Sequence, residues 1–271
     1  MLSMHVAVTG ASAGIGEAIV REYAARGAKV TLIARRKDRL DAITKDVGGE
    51  TFSVVADLAD VERACDWLAL AEEALGPIDV LVNNAGVQNI EPTDTADVVS
   101  GEALLRLNVL TPLRLTRAVL PGMIARGTGT IVDLASMAAL TPMPGMFYYN
   151  AAKGALGNAS EGLRGELRGT GVHVMTVYPG PVDTDMGQRG FARYEKSLAT
   201  KLSPVGNAAE LARMIRRGVE SRRARIIYPR SYGIVRWFPY LSRWFTARFS
   251  PPVLRALPEG SPKDQARVSN R

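Results

Sequence analysis

Seven short apolar runs, rich in valine and isoleucine, alternate along the chain with longer stretches whose apolar residues recur at helical spacing. The runs are Met4–Thr9, Lys29–Ala34, Thr51–Ala56, Ile78–Asn83, Thr130–Ala135, Val172–Tyr178 and Arg225–Tyr228. Between them, Ile15–Arg26, Asp38–Val47 and Val61–Leu75 read as amphipathic helices. Short, fully apolar strands alternating with helices belong to a parallel sheet covered on both faces. The pattern predicts a single-domain, doubly wound α/β fold of the Rossmann type, with about seven parallel strands and helices on both faces. Open α/β folds reach 271 residues as one domain, and 46% hydrophobic content supplies a large core without a metal or disulfide staple. No internal repeat or linker splits the chain.

Three regions depart from the rhythm. Residues 1–229 read as the Rossmann-type domain, with an irregular loop at about 183–206. Residues 230–257 form an aromatic and basic extension expected to pack on that domain. The polar stretch 258–271, with Pro258, Gly260 and Pro262, reads as a disordered tail.

Net charge is +7, and arginines crowd the C-terminal part, which suggests an anionic partner. Neither zinc-finger spacing nor a helix-turn-helix pattern accompanies them, so no nucleic-acid partner is expected. The single cysteine, Cys65, lies in an apolar-periodic stretch and is expected to be a buried, inert thiol in a reducing setting. The N-terminus carries no secretory pattern and no apolar stretch is long enough to span a bilayer, so a cytoplasmic protein is expected.

The first run ends in Thr9-Gly10-Ala11-Ser12-Ala13-Gly14-Ile15-Gly16 and leads straight into a helix. A dinucleotide pyrophosphate suits such a turn, because free backbone N–H groups and the helix dipole meet there. Gly10 makes the turn, Gly14 lets the backbone approach phosphate, and Gly16 permits close helix–strand packing. Ser12, Ala13 and Ile15 supply the rest of the loop. An NAD-preferring site places an acid at the end of the second strand; here Ala34 stands there, followed by Arg35 and Arg36. Guanidinium groups suit a 2′-phosphate, so NADP(H) is the expected cofactor and NAD(H) the less favoured one. Asp57 and Leu58, past the third run, are expected beside the adenine, while Asp60 reads as a helix cap.

Tyr149 and Lys153 stand four residues apart at the start of a long helical stretch, which places them on one face. An ammonium beside a phenol lowers its pKa, as a tyrosine needs in order to move a proton at an alcohol or carbonyl oxygen. Tyr148 should point elsewhere. Ser136 ends the fifth run, on the side where open α/β sheets bind ligands, and its hydroxyl can stabilise developing charge on a substrate oxygen. Pro112 follows Asn108 by four residues, so the Asn108 carbonyl lacks its helical N–H partner and is expected to hold a water.

With these motifs in order and at family spacing over roughly residues 4–228, the chain resembles the short-chain dehydrogenase/reductase family, classical type. The matching residues are Thr9 to Gly16, Asn83-Asn84-Ala85-Gly86, Asn108, Ser136, Tyr149 with Lys153, and Pro179-Gly180 with Thr184. The resemblance implies that Tyr149 is the general acid/base and that Ser136 orients the substrate oxygen. Lys153 would hold the nicotinamide ribose, and Asn108 would anchor a relay water. Asn84, Ala85 and Gly86 would lie near the cofactor, and Pro179, Gly180, Val182 and Thr184 would line the nicotinamide carboxamide. Some NADP-preferring relatives carry a basic residue where this chain has Ala13. The resemblance also implies a homodimer or homotetramer, paired through the helices holding Asn108 and Tyr149.

Met137, Leu140, Met143, Met146, Phe147, Met186 and Phe191 are candidate pocket walls, and flexible methionines with aromatics suit a bulky apolar carbonyl or alcohol. In 230–251, Ile234, Trp237, Phe238, Leu241, Trp244, Phe245 and Phe249 recur at helical spacing beside arginines, with a break expected near Pro239. The stretch could pack on the domain, meet a second subunit or rest on an anionic membrane. Two rival readings remain: a nucleotide-binding regulator that kept the fold without turnover, and a dehydratase or epimerase, which ordinarily needs a longer chain.

Overall fold

The structure, a computed structural model, describes residues 4–195 and 203–255. The expected tail at 258–271 and the middle of the 183–206 loop lie outside the described residues.

Seven parallel strands form one sheet in the order β3-β2-β1-β4-β5-β6-β7. They are β1 (His5–Thr9), β2 (Lys29–Ala34), β3 (Thr51–Val55), β4 (Val80–Asn83), β5 (Gly129–Leu134), β6 (Val172–Pro179) and β7 (Arg225–Tyr228). Alternate side chains enter opposite cores, as the two-residue period of a strand requires. Val6 and Val8 join one buried cluster while Ala7 joins the other; Leu32 and Ala34 are divided from Ile33 in the same way. The first core lies beneath helices α1 (Gly14–Ala24), α2 (Lys37–Val47) and α8 (Ala208–Glu220). The second lies beneath α3 (Trp67–Leu75), α5 (Thr111–Arg126) and the C-terminal end of α6 (Phe147–Glu166). Two shorter helices, α4 (Val98–Leu105) and α7 (Asp185–Phe191), stand at the C-terminal edge of the sheet's connections. Strand order reverses between β1 and β4, so a crevice opens beyond their carboxyl ends, where this architecture binds ligands.

The structure corrects the expected boundaries. The helix read over Val61–Leu75 begins only at Trp67. Residues 61–66 are successive tight turns, with Arg63 N–H donating to Asp60 O and Asp66 N–H to Arg63 O. Asp60 does start this segment, its carboxylate accepting Arg63 N–H at 3.4 Å. The stretch through Asn108 is not uniformly α-helical: Arg106–Leu110 is a π-turn, with Thr111 N–H reaching back to Arg106 O. Cys65 is only partly buried, and burial pushes its thiol pKa up. Past β7 the chain forms a short 3-10 run, Arg230–Arg236, and then helix α9 (Pro239–Phe249), with Phe238 breaking the two apart and Pro239 in the first turn. Its aromatic side chains Trp244, Phe245 and Phe249 are exposed.

Candidate active site

The glycine turn is tied to the end of β4 by side chains. Thr9 Oγ1 accepts the N–H groups of Asn84 and Ala85, both at 3.0 Å, and donates to Val82 O at 3.1 Å. Asn84 Nδ2 donates to Thr9 O at 2.9 Å and to Gly10 O at 3.3 Å. The two diverging strand ends are thereby held at a fixed separation. Gly10 and Gly14 both have positive φ, +67° and +59°. A methyl group at Gly16 would lie 2.3 Å from Gly10 O and 2.5 Å from Asn84 Nδ2, so only glycine lets α1 approach so closely. Ala13 precedes α1 in extended backbone and caps it with no side chain, leaving the first-turn N–H groups to face an anion. Opposite, Thr184 caps α7, accepting Gly187 N–H at 3.2 Å, and its methyl lies 3.1 Å from where a Cβ on Gly14 would stand. Ile15 packs its side chain on the core beneath. The cradle fits the pyrophosphate of a dinucleotide.

At the end of β2, Arg36 donates to buried Ser12, to Oγ at 3.0 Å and to the carbonyl at 3.1 Å. Arg39 approaches the same Ser12 carbonyl at 3.5 Å and pairs with Glu17 at 3.1 Å. The cationic wall beside Ser12 is therefore Arg36 with Arg39, the latter absent from the residues singled out in the sequence. It stands three residues after Arg36, on the first turn of α2. Arg35 is exposed and makes no hydrogen bond among the described residues. Asp57 turns one oxygen onto Ala59 N–H at 3.0 Å. Leu58 is buried in the core, and its carbonyl accepts the Thr111 hydroxyl at 2.6 Å, so only its N–H remains to meet a ligand.

Tyr149, Lys153 and Ser136 converge beyond the end of β5. Tyr149 and Lys153 sit one turn apart on α6, both buried, with Lys153 Nζ 5.8 Å from the tyrosine ring centroid. Nζ donates to Leu134 O at 2.7 Å. Ser136 caps the 3-10 turn after β5, accepting Ala138 N–H at 3.1 Å and lying 3.4 Å from Pro179 O. Burial raises the Tyr149 pKa above that of an ordinary tyrosine, and a hydrogen bond with Ser136 works against the rise. Lys153 is pushed down to about 8 by burial, opposed by the carboxylate of Asp133. The expected pull of Lys153 on the phenol does not register here. Desolvation dominates, and the ammonium is engaged by the Leu134 carbonyl. Tyr148 points away from this site, as expected, its ring filling the space above Gly101 on α4.

Asp133 is the other group that sequence reading missed. Fully buried, with its pKa raised by burial, it accepts Asn83 Nδ2 at 2.8 Å. The signal was present: one carboxylate stands alone inside an otherwise uncharged strand. Asn108 is wholly buried, and its amide makes two bonds to the Val87 backbone, donating to O at 2.8 Å and accepting N–H at 3.0 Å. Its main-chain carbonyl stands four residues before Pro112, whose nitrogen carries no hydrogen. A Cβ on Gly86 would lie 2.9 Å from Asn108 Oδ1 and 3.6 Å from Lys153 Nζ, so Gly86 passes between them. Gly180 N–H donates to Tyr228 O at 2.6 Å, and Val182 is buried and bridged to Gly206.

The candidate pocket walls divide. Met137 is buried with Ala135, Tyr178 and Val235, and Met146 packs against the cluster containing Tyr149. Phe147 and Met186 are exposed. Asn150 latches the 140–146 loop to α6, donating to Met143 O at 2.8 Å, and Tyr194 donates to Pro144 O at 2.8 Å. Among the described residues no cluster of His, Cys, Asp and Glu could hold a metal, and no helix is long and apolar enough to cross a membrane.

The family model described as short chain dehydrogenase matches residues 4–195. The chain is 36% identical to a very-long-chain 3-oxoacyl-CoA reductase of Anas platyrhynchos over 203 residues, 72% of this chain and 65% of that one. It is 37% identical over 180 residues to an NADP-dependent 3-hydroxy acid dehydrogenase of Salmonella typhi, 66% of this chain and 73% of that one. A serine dehydrogenase in a closed form with NADP+ superposes with a TM-score of 0.74 at 30% identity, covering 83% of this chain and 94% of that one. The first curated relatives are longer proteins, of which this chain spans 60%, 65% and 64%.

Proposed function

The chain belongs to the short-chain dehydrogenase family of oxidoreductases, and from that premise we propose an NADP(H)-dependent enzyme that interconverts a carbonyl and an alcohol on a bulky apolar substrate. Tyr149 is its general acid/base. The observation that carries the reading is the convergence of Ser136, Tyr149 and Lys153 beyond β5, beside a glycine turn shaped to admit a pyrophosphate. When bound, the nicotinamide supplies or accepts the hydride at the substrate carbon. In reduction, Ser136 donates a hydrogen bond to the carbonyl oxygen while the Tyr149 hydroxyl transfers its proton there; oxidation runs the same transfer backwards. Lys153, its Nζ 5.8 Å from the phenol ring, would hold the nicotinamide ribose beside Tyr149. The Asn108 carbonyl holds a water through which Tyr149 is reprotonated. Asn84, Ala85 and Gly86 line one side of the crevice. Pro179, Gly180, Val182 and Thr184 line the other.

Preference for NADP(H) rests on the guanidinium pair Arg36 and Arg39 around Ser12 and on Ala34 in the place of an acid. The NADP-dependent relative and the NADP+-bound neighbour support it. A relative named for very-long-chain acyl substrates supports a lipophilic carbonyl. Exposed Val99 on α4, with Leu110 and Leu113 around the start of α5, supports homodimer or homotetramer formation through the face near Asn108 and α6, which size-exclusion chromatography with light scattering tests. A cytoplasmic setting suits the partly exposed lone thiol. The test of function is oxidation of NADPH, with NADH in parallel, against apolar aldehydes and ketones. Turnover with NADPH supports the proposal; tight NADPH binding with no turnover across the panel turns the balance to a nucleotide-binding regulator.

A further inference from the structure

Helix α9 is amphipathic in the reverse sense. Its partly buried positions are Ser242, Thr246 and Ser250, one turn apart, which face the domain. Its large side chains face outward: Tyr240 is 84% exposed, Leu241 61%, Trp244 60%, Phe245 58% and Phe249 49%. Ile234, Trp237 and Phe238, also more than half exposed, extend the patch backwards. The rings form one surface, since Phe249 lies 4.6 Å from Phe245 and 6.2 Å from Trp244, centroid to centroid. The helix is fastened, not loose. Arg243 Nε donates to Leu140 O at 3.0 Å, Ser250 Oγ lies 3.6 Å from Met143 Sδ, and beyond the helix Val253 pairs with Tyr194 and fills the space above Gly145. A helix that turns hydroxyls inward and aromatics outward is unfavourable in water, and an apolar face this large marks a contact surface.

Charge identifies what covers it. Residues 230–255 contain five arginines (Arg230, Arg236, Arg243, Arg248 and Arg255) and no aspartate or glutamate. A second copy docking here through a two-fold axis would set the patch against itself, arginine facing arginine, while Asp94 is already paired with Arg255 at 3.0 Å. Aromatics flanked by arginines match instead the acyl boundary and anionic headgroups of a bilayer. Arg248 already lies over the Phe249 ring, 5.5 Å from its centroid, at the junction such a surface offers.

We propose that α9 and the preceding 3-10 run lie on the surface of an anionic bilayer, with Trp244, Phe245 and Phe249 in the acyl boundary and Arg230 and Arg248 among the headgroups. The helix is anchored on Leu140 and Met143, in the loop that joins Ser136 to Tyr149. An apolar substrate therefore reaches the site from the membrane side. That last step rests on the proposed function; the docking does not.

The test uses the full chain in sedimentation with vesicles of phosphatidylcholine, alone or with about one third phosphatidylserine. Tryptophan emission reports in parallel, because Trp67 is buried while Trp237 and Trp244 are exposed. The expected result is binding to the anionic vesicles with a blue shift, weakened by salt and at least about tenfold weaker in Trp244→Ser/Phe245→Ser. Arg230→Glu/Arg248→Glu, which leaves every ring in place, should lose the preference for phosphatidylserine. Unchanged NADPH affinity shows that both variants are folded. Failure to bind anionic vesicles overturns the proposal, as does equal binding by the aromatic variant. Self-association abolished by the same variant, without vesicle binding, assigns the face to a second copy and overturns it too. Vesicle binding is read without turnover, so an inactive enzyme that binds vesicles refutes only the proposed reaction.

Discussion

Replacing Lys153 by methionine should stabilise the cofactor-free chain at low pH while abolishing turnover. The ammonium is 5% exposed, and its pKa falls from 10.5 to about 8 on folding, chiefly through burial. At about 1.36 kcal/mol per pH unit, holding that charge inside costs about 3 kcal/mol. Methionine removes the cost and fills a similar volume. Against this, Leu134 O loses its donor, worth about 1 kcal/mol, and Asp133 loses a nearby cation. Burial already disfavours the charged form of Asp133. The net gain is about 2 kcal/mol at pH 6, or about 6 °C in Tm for a chain of this size. The sign with pH follows from the lowered pKa. Below about pH 8 lysine is charged in both states and the cost is complete. Between 8 and 10.5 the folded chain releases the proton while the unfolded chain keeps it, so wild-type stability rises with pH. The variant's advantage should therefore shrink and vanish near pH 10. Thermal unfolding of both apo proteins at pH 6 and pH 9.5 measures it. A variant less stable than wild type at pH 6, or a difference indifferent to pH, would refute the reasoning.

Three further outcomes follow from the same geometry. Gly16→Ala places a methyl 2.3 Å from Gly10 O, so NADPH affinity by fluorescence titration should fall at least about tenfold with the fold retained by circular dichroism; undiminished affinity would show that the turn does not hold the dinucleotide. Arg36→Ala/Arg39→Ala should reduce the preference for NADPH over NADH by about tenfold to a hundredfold in kcat/KM, with NADH values nearly unchanged; equal loss with both cofactors would remove the 2′-phosphate from this wall. Asp133→Asn removes the buried anion that opposes the fall in the Lys153 pKa, so the alkaline limb of the kcat profile should move to lower pH, and an unmoved limb would separate Asp133 from the site.

The strands were legible because β1, β2, β4, β5 and β6 are buried along nearly their whole length, which leaves runs that are mostly apolar. β2 and β7 fall on the expected residues, β5 is shifted by one position at both ends, and the other strands differ from theirs by one or two positions at one end. The stretch before α3 was not legible. Val61, Ala64 and Trp67 are all buried, a spacing of three that tight turns and an α-helix share, so periodicity alone could not place the first residue of the helix. The glycine turn and the Tyr149–Lys153 pair were visible because their spacing carries the geometry. Arg39 and Asp133 act across elements: one reaches Ser12 from the next helix, the other faces Lys153 from a strand. Their roles depend on packing that spacing does not encode. The aromatic stripe of α9 was visible as a stripe, but a period cannot tell which way a helix is turned. Only the fold shows serine and threonine inward and tryptophan outward.

The central claim is that Tyr149 moves the proton while the surrounding cradle holds NADPH. Oxidation of NADPH by the best substrate of an apolar carbonyl panel, measured with wild type and Tyr149→Phe alongside NADPH dissociation constants for both, tests it most directly. The account predicts nearly unchanged NADPH affinity and a fall in kcat of about a thousandfold in the variant. A variant that turns over at close to the wild-type rate would contradict the assignment of Tyr149, and failure of the wild-type chain to bind either nicotinamide cofactor would contradict the proposed function itself.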